Sequence, residues 1–402
     1  MLFLILTTLI KFVVIVFLFA MPLATLLTWM ERRQSAYTQD RVGPNRAAIT
    51  LGKKRFTLAG LLHPIADALK MFFKESFVPE CADKFIFRIA PLFGFVTALI
   101  VLGLIPFGPD LETPWGVVPL QIARLDAGLL YVFAVGSLGI YGAALAGWAS
   151  KNKFALLGGV RATAQSFSYE IALGLTIVGI LMAFGTTELS QIVTAQEGML
   201  LWGLLPKWGL FIQPLAAVLF LTAAMAETKR APFDMPEGES EIIGYFVEYS
   251  SMGFGLFMLG EFVEVVVLSA LFTTLFLGGW QFPYILGEHS INLGFRVFEI
   301  NTWVHAIIGM AIFGAKVFFL SALQLQLRWS LPRFRYDQLM NLGWKILLPL
   351  SLVNIFVTAI LMMMDPSLEL MALFSAILVL LFILFVITGP RQSKTVVVAT
   401  HH

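Results

Sequence analysis

The chain alternates long apolar runs with short polar breaks. Nine runs reach bilayer length, roughly 17–25 residues. They cover 3–30, 86–106, 126–149, 165–184, 208–228, 242–277, 303–327, 345–364 and 368–388. None alternates with the period of a half-buried strand, and lipid obliges the backbone to bond to itself, so all nine are predicted helices. The sixth run exceeds one straight span, and Gly253, Gly255 and Gly260 are candidate bends. The expected fold is an all-α integral membrane protein with about nine transmembrane helices in a single polytopic domain, 1–402. The first run is too long for a signal-peptide core and lacks a basic leader, so it is expected to be retained.

The polar breaks set orientation. Of 27 Lys and Arg, 22 fall in the loop after the first run and in alternate breaks thereafter, and three in the others. The positive-inside rule puts the N-terminus outside and the C-terminus in the cytoplasm. The longest break, 31–85, is then a cytoplasmic loop. Within it, 60–75 reads as an interfacial amphipathic helix, with Leu62, Leu69 and Phe73 on one side and His63, Asp67, Lys70 and Lys74 on the other. Two readings stand: an anchor sealing the lipid boundary, or one wall of an opening for a lipid-soluble molecule. A second cytoplasmic loop, 229–241, is acidic, and 365–402 forms an extra C-terminal helix and tail.

Composition agrees. Apolar residues make up 58% of the chain and charged residues 13%, where a soluble domain is nearer half and a quarter. A net charge of +2 gives no case for a nucleic-acid partner. The one cysteine, Cys81, excludes an internal disulfide framework and a four-cysteine iron–sulfur site in this chain. No metal site is expected.

Against this background the carboxylates stand out. An ionisable group inside a span costs roughly 2.5–3.5 kcal/mol on insertion scales. Glu170 lies in the fourth run, Glu227 ends the fifth, and Glu248, Glu261 and Glu264 lie in the sixth with Glu241 at its mouth. The segment between carries Asp234, Glu237 and Glu239 against Lys229 and Arg230. Helical spacing predicts two pairs, Glu241 with Glu248 and Glu261 with Glu264. With Tyr169, Tyr245, Tyr249 and water between them, these acids have the makings of a proton relay. Buried salt bridges or helix capping are the bland alternative. Lys11 and Lys316 are the obvious cations within the spans.

Several blocks are familiar in order. They are Glu31-Arg32-Arg33, Gln39 to Asn45 (QDRVGPN), Pro64 to Lys70 (PIADALK), Arg161 to Glu170 (RATAQSFSYE), Ala226 to Glu241 (AETKRAPFDMPEGESE) followed by Glu248-Tyr249, and Leu331 to Met340 (LPRFRYDQLM). From about 20 to 355 the chain resembles the H-type membrane component of the proton-pumping NADH–quinone oxidoreductase, respiratory complex I. The resemblance implies a membrane component of that enzyme in the bacterial inner membrane. It implies partners in the soluble-arm quinone-site subunits, in antiporter-like and small membrane subunits, and in membrane lipid. It implies quinone as substrate, with FMN and iron–sulfur clusters in partner subunits and no cofactor bound by this chain alone. Carried over by position, Arg32, Asp67 and Lys70 would frame the mouth of a quinone tunnel. Arg41, Arg230, Phe233, Asp234 and Tyr249 would line or shape it. Glu170, Glu227, Glu237, Glu239, Glu241, Glu248 and Glu261 would form the proton and coupling path. A membrane anchor of a hydrogenase-type complex, or an ion-translocating module without quinone, remains the alternative.

Overall fold

The computed structural model describes residues 2–51, 54–114, 116–201, 203–238, 242–283, 290–292, 297–299 and 301–388. Helix α1 joins Leu2–Val13, a π-helical stretch Val14–Ala20, and Met21–Thr38. Then come α2 (Leu62–Phe73), α3 (Lys84–Leu102) and α4 (Gly128–Gly136, a 3-10 turn Ser137–Gly139, and Ile140–Ala149). Next are α5 (Lys153–Phe184), α6 (Leu189–Ala195), α7 (Gly209–Ile212), α8 (Pro214–Glu227) and α9 (Ser251–Phe276). The chain continues as α10 (Thr302–Ser330), α11 (Tyr336–Asn341, a π-helical Leu342–Leu347, and Leu348–Met364) and α12 (Glu369–Thr388).

Among the described residues, α1, α3, α4, α5, α9, α10 and α11 are long and apolar enough to cross a bilayer. With the apolar α8 and α12 they make up the nine expected segments. Strands among the described residues occur only as four two-stranded antiparallel hairpins between helices. The chain is an all-α, multi-pass membrane protein.

Several boundaries differ from the apolar runs, each for a local reason. Helix α5 starts at Lys153, twelve residues before the run at 165, because Asn152 caps it by accepting from the Phe154 amide at 2.9 Å. The fifth span is broken at Gln213 (φ −137°), where Pro214 opens α8. Its 14 residues extend about 21 Å, short of a bilayer core. The Gln213 amide bonds Thr358 Oγ1 at 2.9 Å, and Ser375 Oγ on α12 donates to the Ile212 carbonyl at 2.7 Å. Polar groups released by the break are thus taken up by neighbouring helices.

The sixth run is not one helix from 242. Residues 242–250 fold as turns, with Ile243 at φ 70° and Gly244 at φ 124°, backbone a helix cannot contain. Beyond Ser251, α9 runs unbroken through Gly253, Gly255 and Gly260. Its C-terminal end meets Lys316 of α10, whose ammonium donates to the carbonyls of Leu277 (2.6 Å), Gly279 (2.9 Å) and Gln281 (2.7 Å). A cation there also suits the helix dipole.

Both π-helical stretches end just before a proline, Pro22 in α1 and Pro349 in α11. Proline has no amide for the carbonyl four residues back and its ring crowds that carbonyl, so the wider turn relieves both helices.

The core lies among α5, α8, α9 and α10, around Tyr169, Phe220, Phe276 and Phe313, all fully buried. Beside it α4 and α5 touch backbone to backbone. A Cβ on Gly147 would stand 2.6 Å from the Ala155 carbonyl oxygen, and one on Gly159 would stand 3.0 Å from that of Ala143. Small residues at such crossings let membrane helices approach. Gly147→Val is therefore expected to cost about 1–3 kcal/mol, seen as a lowered unfolding temperature in detergent. Gly174→Ala, where a Cβ meets nothing within 4 Å, should leave it unchanged.

Candidate functional site

The segment between α8 and α9 is held from several sides. Gln165 on α5 donates its amide to the carbonyls of Ala226 and Phe233, each at 2.7 Å and buried. The Phe334 amide donates to the Pro232 carbonyl at 3.2 Å, and the rings of Phe233 and Phe334 stack at 5.5 Å. Arg333 bonds Asp234 at 2.8 Å. Gly158 admits the returning chain, since a Cβ there would lie 2.8 Å from the Tyr245 nitrogen. Three sequence blocks far apart in the chain, 161–170, 226–238 and 331–340, thus meet at one place.

Behind this segment lies an internal cavity of about 80 Å³, room for a few waters. Glu170, Glu227, Glu261 and Glu264 line it, with Lys229 and Tyr245. The Tyr245 hydroxyl donates to Glu261 Oε1 at 3.1 Å. The cavity extends between α3 and the 3-10 turn of α4, past Gly94, Gly136 and Gly139. Glu237, in the loop outside the spans, has a buried, unpartnered Oε1. Burial pushes its carboxyl well above the usual carboxylate range, the charge of Glu261 raises it further, and Arg230 opposes both.

On the other side an open pocket of about 680 Å³ is lined by Glu31, Arg32, Arg41, Arg46, His63 and Trp329, with the turn Val42 to Asn45. His63 Nδ1 and Trp329 Nε1 are buried there without partners. Helix α2 forms the flank. His63, Asp67 and Met71, four residues apart, face the protein. Asp67 pairs with Arg32 and lies 3.9 Å from Lys70, while the Ser251 hydroxyl donates to the Met71 carbonyl at 2.9 Å. Ile65, Leu69, Phe72 and Phe73 face outward, Phe73 being 87% exposed, the pattern of a helix lying in an interface.

Arg230 stands in the wall between the two spaces. Its Nη1 bonds Glu31 Oε2 at 2.8 Å and its Nη2 lies 3.8 Å from Glu261 Oε2. The guanidinium sits 3.7 Å from the centroid of the Phe262 ring and is only 8% exposed. The second oxygen of Glu31 pairs with Arg328.

The structure therefore groups most, though not all, of the residues expected from the sequence. Glu170, Glu227 and Glu261 share one cavity, and Arg32 and Arg41 share the other pocket. Phe233 and Asp234 are buried beside Arg333 and Phe334 rather than in either lining. Lys70 stays at the surface on Asp67. Tyr249 is stacked on Phe87 at 3.9 Å, with its hydroxyl buried and unpartnered. The expected pairing of Glu241 with Glu248 on one helical face rests on Glu241, which lies outside the described residues. Glu248 lies in the turns before α9, where it accepts from Asn152 at 2.7 Å. Glu239 and Glu241 lie outside the described residues. Lys11 and Lys316 do not partner the glutamates. Lys11 donates to the carbonyls of Gln121 at 2.8 Å and Pro119 at 3.3 Å. The cations that reach the glutamates are Lys229, in the lining of the same cavity, and Arg230, beside Glu261. Sequence reasoning does not single out Glu31 as a site residue, because its partners Arg230 and Arg328 are 199 and 297 positions away. Its place in the Glu31-Arg32-Arg33 block is the available signal.

A family model described as NADH dehydrogenase matches residues 10–359. The chain is 41% identical to the H component of the NADH-quinone oxidoreductase of Flavobacterium johnsoniae over 347 residues, 86% of this chain and 92% of that one. It is 42% identical to the H 1 component of the same enzyme in Geobacter metallireducens over 353 residues, 88% and 95% of the two chains. It is 46% identical to the H 2 component in Syntrophobacter fumaroxidans over 338 residues, 83% and 90%.

Two outcomes follow from the geometry. Gln165→Leu leaves two buried carbonyls unpaired and is expected to cost about 2–4 kcal/mol, with faster proteolysis between 228 and 250. Glu237 binds its proton more tightly folded than unfolded. Its contribution to stability is complete below the unfolded carboxyl range and is lost as pH rises through the folded value. Glu237→Gln should therefore flatten the fall in unfolding temperature on the alkaline side.

Proposed function

The chain belongs to the NADH dehydrogenase family, and we propose that it is the H-type membrane component of a proton-translocating NADH–quinone oxidoreductase. On this reading it admits quinone from the lipid and begins the path by which the reduction drives protons. FMN and iron–sulfur clusters belong to partner subunits of the soluble arm, and antiporter-like and small membrane subunits adjoin the acid cavity. The positive-inside bias puts the 31–85 and 229–241 segments on the cytoplasmic side of a bacterial inner membrane, with the N-terminus outside.

One observation carries the reading. An open pocket rimmed by donors, beside an interfacial helix, and an acid-lined cavity each give one acid to the same buried arginine. A quinone head group is a flat ring with two carbonyl acceptors. Arg32, Arg41, His63 and Trp329 offer donors around a space of suitable size. The outward apolar face of α2 gives a long isoprenoid tail a continuous path from the bilayer. Asp67 holds Arg32 at the rim. Glu170, Glu227, Glu261 and Glu264, around a cavity with room for water, supply exchangeable protons a short way off. Glu237, Glu239, Glu241 and Glu248 extend this path on our reading, and Phe233, Asp234 and Tyr249 shape the walls. The chain's own residues hold no electron carrier in this scheme. They receive the substrate, exclude bulk water and relay protons.

The assembled enzyme tests it. Arg41→Ala and Asp67→Ala should depress quinone reduction while NADH oxidation by an artificial hydrophilic acceptor continues. Wild-type quinone kinetics in both would remove the tunnel assignment. Glu227→Gln keeps the shape but cannot carry a proton, and coupled turnover should fall on the order of tenfold or more. A normal proton-to-electron ratio in that variant would count against the acid path.

A further inference from the structure

Two carboxylates from different cavities bracket one guanidinium. Glu31 opens onto the donor-rimmed pocket, and Glu261 opens onto the acid cavity. Arg230 bonds the first at 2.8 Å and lies 3.8 Å from the second. Its Nε has no partner. The Phe262 ring under the guanidinium guides sliding in the plane without fixing a direction, because an aromatic face attracts a cation from a broad area. The guanidinium thus has an acid on each side and lies closer to Glu31 than to Glu261. Glu31 is itself shared with Arg328, so its hold on Arg230 is divided.

We propose that Arg230 is a shared counter-charge, a positioning residue that passes the charge state of Glu31 in the quinone-side pocket to Glu261 and Glu237 at the acid cavity. When Glu31 is ionised, Arg230 sits on it and the inner acids feel a reduced positive charge. When Glu31 is neutralised, Arg230 keeps only one close anion and shifts toward Glu261. By linkage the effect is reciprocal: loss of charge at Glu261 tightens Arg230 on Glu31. No group crosses the wall in this scheme; only a charge is displaced. The inference deepens the reading of quinone pocket and acid path and rests on it.

The groups facing Arg230 come from four elements. Helix α1 offers Glu31 and α10 offers Arg328. Helix α9 offers Glu261 and Glu264. The segment between α8 and α9 offers Lys229, Asp234, Glu237 and Tyr245. Removing the charge of Glu31 alone leaves Arg230 to the inner acids, which then ionise more readily.

The test is the pH profile of quinone reduction by the assembled enzyme, with NADH and a short-chain quinone. Glu31→Gln should move the acid limb of turnover to lower pH by about one unit, the direction expected when a cation approaches a carboxyl that must ionise. Glu31→Asp keeps the charge but shortens the reach, so it should assemble and shift the limb the same way by less. An acid limb unmoved in both variants overturns the proposal, whether or not KM for quinone changes, since a change in KM alone means that Glu31 acts only within its own pocket. Failure of the underlying reading shows separately, as wild-type quinone kinetics in Arg41→Ala and Asp67→Ala.

Discussion

A charge withdrawn from water must find another charge, a dipole or a pocket of trapped water. That constraint explains most of this molecule. Arg230 carries its heaviest consequence. It is almost fully buried and paired with acids from two helices, and taking one partner from such a cluster typically costs about 3–5 kcal/mol. Around it other charges are met in turn: Glu31 by Arg328, Asp234 by Arg333, Glu261 by Tyr245. Lys11 and Lys316, away from these acids, are met by backbone carbonyls. The cavity beside Glu227 and Glu264 is the remaining answer, a place where acids keep company with space for water.

The same constraint separates what is legible in the chain from what is not. Membrane segments are legible because lipid permits a narrow set of answers, and nine apolar runs become nine apolar helices. The interfacial helix is legible because its two faces differ within eleven residues. The start of α9 is not. Residues 242–250 are apolar enough to pass for helix, and the left-handed Ile243 and Gly244 that forbid it depend on the loop packed against Gly158. Spacing rules assume that a helix exists, and Glu248 stands in turns where it does not.

The acids themselves are found by their cost, and Glu170, Glu227 and Glu261 do share one cavity. Their partners are not found that way. Periodicity couples residues three or four apart, whereas Glu31 and Arg230 are joined only when α1 packs against the segment between α8 and α9. The motif blocks come nearer, since they mark residues that meet in space. They do not say that Phe233 and Asp234 are buried against Arg333 and Phe334, because that depends on Gln165 holding the segment by two bonds.

The widened turns in α1 and α11 have a consequence for how these helices can change. Each carries surplus chain inside a continuous rod. Excising one residue from Val14–Ala20 would let the stretch rewind as ordinary helix, and because seven residues in the wider turn cover about the rotation of six in an α-helix, everything upstream would keep its phase relative to Met21–Thr38. Lys11 would still face Pro119 and Gln121, and Glu31 would keep its address. The loss of one residue here is the change in length that the rod can absorb without turning one end against the other.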